Sequence, residues 1–126
     1  MSDTYSGAAA TFDKQDQFDR IQAGLLQGET VLAVYDGKGA GTGFIGLTDR
    51  RVVLQDNSFV GKRMALTSIP YSKVNAVSFV SDKSMLGKFS SSSSVALEVG
   101  GKTYEIVFRG DEKAKHAHDT ILRLMT

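Results

Sequence analysis

Gly41–Asp56 reads GTGFIGLTDRRVVLQD, and its interpretation decides the fold. The first six residues match G-x-G-x-x-G, the pattern of a dinucleotide-binding loop. That pattern holds a pyrophosphate only between a strand and a helix, because the helix supplies N-terminal amides and a favourable dipole. Here Gly46 is followed by Leu47, by Thr48-Asp49-Arg50 as a turn, and by Arg51–Gln55 (RVVLQ), β-branched at its centre. No helix follows, and no acidic residue ends a second parallel strand about 20 residues on. The glycines are therefore read as belonging to sharply coiled strands, where glycine marks bulges, bends and close approach. A Walker loop is excluded too, since Gly61-Lys62 is followed by Arg63 rather than Ser or Thr.

Outward from this stretch the period stays near two. Glu29–Tyr35 (ETVLAVY) and Gly43–Leu47 precede Arg51–Gln55, and Lys62–Ile69 follows it, halted by Pro70, the sole proline. Val74–Val80 (VNAVSFV) is a fifth strand with apolar residues on both faces. Ser81–Ser94 has no period and ends in five serines, which reads as a mobile loop. Val95, Leu97 and Val99 then alternate, Gly100-Gly101 forms a primed two-residue turn, and Tyr104, Ile106 and Phe108 alternate again, completing a hairpin.

Helical spacing appears only at the two ends. Phe18, Ile21, Leu25 and Leu26 make one apolar stripe, placing a helix at about 12–27 that Gly28 closes as an αL cap. Asp13, Asp16 and Asp19 lie off the stripe and read as a solvated face. At the other end Asp111 is the expected N-cap of a helix whose buried stripe is Ala114, Ala117, Ile121, Leu124 and Met125. Residues 1–10 have the composition of a flexible terminus, and 11–126 form a single domain.

Composition narrows the function. Fifteen basic and fourteen acidic residues in 126 leave a net charge of +1, too weak a field for a nucleic-acid binder. The absence of cysteine removes disulfides, thiolate metal sites and a cysteine nucleophile, and neither a signal peptide nor a membrane span is visible, so a cytoplasmic address is expected. His116 and His118, two apart on a helix, point in nearly opposite directions, unlike an i, i+4 metal pair. No serine sits in a G-x-S-x-G elbow. The chain is expected to be neither an enzyme nor a cofactor carrier.

Seven strands closed by an amphipathic helix suggest a small antiparallel barrel or sandwich with one end plugged. LLQGE at Leu25–Glu29, GFIGLTDRRVVLQD at Gly43–Asp56 and NSFVGKRMALTSIPYSKV at Asn57–Val74 together resemble the bacterial PH (pleckstrin-homology-like) domains, over roughly Leu25 to Met125. The resemblance implies a mainly β, PH-like seven-stranded antiparallel barrel or sandwich, capped by the C-terminal helix and carrying an additional N-terminal helix. In it, Thr48–Arg51 would close the hairpin of the second and third strands, and Ile69-Pro70-Tyr71 would end the fourth at an edge. Phosphoinositide-binding members place a basic motif on the first two strands and their loop. This chain has only Lys38 there, beside Asp36. The expected role is accordingly protein–protein interaction or homo-oligomeric scaffolding, with Phe18, Ile21, Leu25, Leu26, Val77 and Phe79 as interface candidates. The alternative is peripheral binding to anionic membrane lipid through the 82–89 loop, where Lys83, Met85, Leu86 and Lys88 alternate charge with apolar surface.

Overall fold

The structure is a computed structural model, and it describes residues 9–38, 42–56, 65–81 and 92–126. Its elements are β1 (Thr11–Phe12), α1 (Gln15–Ala23), β2 (Val31–Asp36), β3 (Thr42–Thr48), β4 (Arg51–Asp56), β5 (Ala65–Pro70), a 3-10 turn (Tyr71–Lys73), β6 (Ala76–Ser81), β7 (Ser92–Val99), β8 (Lys102–Arg109) and α2 (Asp111–Met125). One sheet has the order β1-β2-β3-β4-β5 and the other β6-β7-β8. All pairings are antiparallel except the short β1, which runs parallel to β2. This is the expected mainly β architecture with its C-terminal helix, although the sheets do not close into a barrel. They approach at one corner, where the Lys38 amide donates to the Val107 carbonyl at 2.7 Å.

Period-two alternation puts one face of each sheet inside. Ala33, Tyr35, Ile45, Leu47, Val52, Leu54 and Ile69 from the first sheet meet Val95, Leu97, Ile106 and Phe108 from the second. α2 fills the end between the sheets with Ala114, Ala117 and Ile121, all fully buried. The hairpin turn is as expected: Gly100 and Gly101 both have positive φ, 57° and 85°, the requirement of a type I′ turn.

From Thr42 onward the opening fingerprint lies within β3, from which the chain turns back into β4; Gly41 lies outside the described residues. Gly43 and Gly46 serve close approach. A Cβ on Gly43 would lie 2.4 Å from the Gln55 carbonyl oxygen, beside a register shift between Thr42 and Ile45, and one on Gly46 would lie 2.6 Å from Ile21 Cδ1.

Four boundaries differ from the sequence-based reading. The N-terminal helix is Gln15–Ala23, shorter than 12–27, because Thr11 and Phe12 pair with β2 and the Asp13 amide donates to Val34. It ends at Gly24, whose φ is −100°; the positive φ belongs to Gly28, in the turn before β2. Asp111 is the first residue of α2 and Gly110 its N-cap; the Asp111 carboxylate instead accepts from Ser93 Oγ. The serine run is not wholly loop, because Ser92–Ser94 begin β7 between β6 and β8. Ser93 and Ser94 are buried, and Ser94 donates to Glu105 at 2.6 Å. A buried hydroxyl with a carboxylate partner fits a strand that a polar count assigns to loop. Residues 1–8 of the expected flexible terminus, residues 57–64 and residues 82–91 lie outside the described residues.

Candidate functional site

The three motifs of the resemblance converge on one buried polar cluster. Glu29, at the end of LLQGE, is 7% exposed. Its carboxylate accepts from Arg51 Nε at 2.8 Å, Arg51 Nη2 at 3.0 Å, Thr48 Oγ1 at 2.7 Å and the Leu26 amide at 2.8 Å. Thr48 Oγ1 also accepts the Arg50 and Arg51 amides, both at 3.0 Å, which closes the turn as anticipated. Asp49 reaches sideways, accepting the Thr30 amide at 3.0 Å. Arg51 extends further, to the Gly24 carbonyl and Ser68 Oγ, each at 2.9 Å. From the third motif, Tyr71 donates its buried hydroxyl to the Thr48 carbonyl at 2.7 Å, Ile69 is buried and Pro70 lies on the edge strand β5.

Burial alone would raise the Glu29 pKa, but the bonds from Arg51, Leu26 and Thr48 outweigh it and hold the carboxyl at about 2. Burial pushes the Tyr71 phenol well above its ordinary range. The guanidinium, the carboxylate and the hydroxyls satisfy one another, so the cluster ties α1's exit, the β3–β4 turn and the end of β5 into one frame. Nothing in it is left aimed at a ligand.

A second set of charges fastens the N-terminal segment to the C-terminal helix. Asp36 accepts from Gln17 at 2.7 Å and Arg109 at 3.0 Å and pairs with Lys14 at 3.5 Å. Burial opposes ionisation of Asp36, yet these partners keep its pKa below the usual carboxylate value. Asp13 pairs with Lys113 at 2.8 Å and accepts the Asp36 amide. The histidines diverge as their spacing required: His116 Nδ1 bonds the Tyr35 hydroxyl at 2.7 Å, while His118 faces Asp119 and the Phe79 ring.

The interface candidates fall into two groups. Ile21 is buried on the chain's own first sheet with Val31, Val34, Phe44 and Val53, and Phe18 and Leu25 pack partly buried around it. Leu26 remains exposed on the turn after α1. Val77 packs partly buried against the main core. Phe79 and its neighbour Val80 are 37% and 43% exposed on β6. β6 pairs with β7 on one side, and among the described residues no strand pairs with its other edge. Beside that edge, on the outer face of the second sheet, Ala76, Ser78, Ala96, Glu98 and Thr103 line a shallow groove of about 250 Å³ over the backbone of Leu97. The lipid-contact candidates Lys83, Met85, Leu86 and Lys88 lie outside the described residues. Sequence reasoning found the apolar residues of β6 but missed the groove, whose lining is small and polar and comes from three strands.

The order of strands, the terminal helix and the three converging motifs define a PH-like domain. The family model of the bacterial PH domain matches residues 25–122, and the chain belongs to that family. Its fold is similar to a PH domain from Shewanella amazonensis, at 20% identity over 90% of this chain and 98% of that one, with a TM-score of 0.65. A DUF1696 family protein with a pleckstrin-homology domain from Shewanella loihica gives 16% identity, coverage of 93% and 97%, and a TM-score of 0.60. A PH-domain-containing protein from Exiguobacterium sibiricum gives 22% identity and a TM-score of 0.61, with 90% of this chain covering 59% of that one. At these identities the likeness concerns the fold. A comparison with curated proteins gave no match. Among the described residues no helix is long and apolar enough to cross a membrane.

Proposed function

We infer that the chain is a non-catalytic interaction domain that self-associates by pairing β6 edges, serving as a homo-oligomeric scaffold. One observation carries this reading: among the described residues β6 pairs only with β7, which leaves its other edge open and Phe79 and Val80 exposed. Natural sheets shield such edges with charge, proline, bulges or a covering element. β6 reads AVSFVS and contains neither charge nor proline. Two such edges side by side satisfy each other's backbone groups and bury the apolar side chains, the strand-addition mode of protein recognition.

The test is mass in solution by sedimentation velocity, for the intact chain and for Val80→Glu, which puts a charge on the edge and leaves the core untouched. The wild type should be a discrete oligomer and the variant a monomer with an unchanged circular dichroism spectrum. A monomeric wild type, or a variant that keeps its mass, overturns the reading.

A further inference from the structure

The groove beside β6 has a chemistry that the edge alone does not. Along the outer face of the second sheet, Ala76 stands opposite Glu98, which stands opposite Thr103, and Ser78 stands opposite Ala96. Apart from Glu98 these side chains are small, so the face is a trough running across the strands from the open edge to Glu98. Glu98 is exposed, and its carboxylate has no partner among the described residues; its backbone carbonyl accepts the Asn75 amide at 2.7 Å. The other carboxylate on this face, Glu105, accepts from Ser94. The neighbouring cation, Lys102, lies over the Tyr104 ring at 4.7 Å, and Tyr104 packs against the core from the opposite face.

A strand added to β6 would lie about two strand spacings, or about 10 Å, from Glu98. A lysine or arginine stem lying over Ala76, together with the glutamate side chain, spans that distance, whereas shorter side chains do not. A bulky residue at position 76 or 96 would block the path.

We propose that the β6 edge and its trough form a docking site for an extended segment of another protein carrying a lysine or arginine, the backbone pairing with β6 and the cation lying over Ala76 towards Glu98. The proposal rests on the reading of β6 as a docking edge and gives that edge a selectivity. Such a segment competes with self-pairing, so its binding also lowers the mass of the oligomer.

Fluorescence anisotropy with the full chain tests it, using labelled octapeptides of alternating threonine and valine. The first probe has one central lysine, the second glutamate in its place, and two further lysine probes are N-methylated on alternate residues. The lysine probe should bind roughly tenfold tighter than the glutamate probe, and Glu98→Gln should narrow that gap to about twofold, the scale of a partly desolvated ion pair. One N-methylated set should lose binding and the other keep it. Equal binding of lysine and glutamate probes overturns the cationic site, and leaves the edge standing if one of the two N-methylated probes still loses binding. Binding indifferent to either N-methylated set overturns the edge geometry, and the cationic site with it. No binding of any probe overturns the proposal, while the mass of Val80→Glu decides the edge independently.

Discussion

The outer faces of the two sheets are finished in opposite ways. On the first sheet, α1 and the segment just after it lay Ile21, Phe18 and Leu25 over Val34, Phe44 and Val53, and Gly46 leaves room for the isoleucine tip. On the second sheet the corresponding face is small and polar, and its edge strand exposes Phe79 and Val80. An apolar face calls for a cover, and the chain supplies one as a nine-residue helix that could not stand alone. The second sheet needs no cover for its face, and its β6 edge is where the proposed pairing falls. One side of the molecule is thus completed from within, and the other carries the edge proposed for association.

The largest expected effect breaks the closed side. Arg51→Ala removes the guanidinium that joins Glu29, Gly24 and Ser68, and leaves a buried carboxylate without its charge partner. Such losses cost about 3–5 kcal/mol, and the partial exposure of Arg51 places this one near the lower figure. Urea denaturation measures it. A loss under about 1 kcal/mol would show that the cluster does not hold the frame together.

Next comes the contact between the helix and its socket. Ile21→Ala should cost about 2–4 kcal/mol as a buried isoleucine truncation. Gly46→Ala should cost about 1–3 kcal/mol as overpacking, since the new methyl group meets Ile21 Cδ1 at 2.6 Å. The pair sharpens the comparison through a cycle: in the Ile21→Ala background the Gly46→Ala cost should fall by more than half. Additive costs would mean that the glycine serves the strand and not the helix.

Acid should loosen the same side. The folded pKa of Glu29, about 2, lies below its ordinary 4.5. A depressed carboxylate contributes stability that is fully present above the unfolded pKa and is lost as the pH falls through the folded one. The window therefore runs from about pH 5 down to pH 2, and screening by solvent at Arg51 reduces the contribution to roughly 2 kcal/mol. Unfolding midpoints across that range should fall for the wild type and fall less for Glu29→Gln. Equal slopes would assign the acid sensitivity to Asp36, whose pKa is also depressed.

Much of the closed side was legible in the sequence as separate pieces. Helical spacing marked Ile21, Thr48 announced its turn, and Ile69-Pro70-Tyr71 announced the end of a strand. Their meeting was not legible, because Glu29, Thr48, Arg51 and Tyr71 come together only when three segments pack, and periodicity reports one segment at a time. Ser93 and Ser94 misled for the opposite reason. Hydroxyls count as polar in sequence, yet in a central strand they are satisfied by Asp111 and Glu105 from elsewhere in the chain. The start of α1 moved because backbone pairing with β2 claimed Thr11 and Phe12, a tertiary contact outweighing helical propensity. On the open side, alternation revealed the apolar residues of β6, but whether a strand is central or at an edge depends on pairing that no local pattern carries.

The smallest effect on stability is expected on that open side, and the contrast gives it its value. Val80 is 43% exposed and opposite Ser94 on the outer face, so Val80→Thr should change the unfolding free energy by no more than about 0.5 kcal/mol. Thermal denaturation at low protein concentration measures that change without interference from assembly. At high concentration, the same substitution should lower the midpoint further, because it weakens a contact between copies and stability gained by association grows with concentration. A substitution neutral in the dilute chain and destabilising in the concentrated one places Val80 in an interface and not in the core. If the cost does not change with concentration, Val80 belongs to the monomer alone, and both sheets are then finished from within.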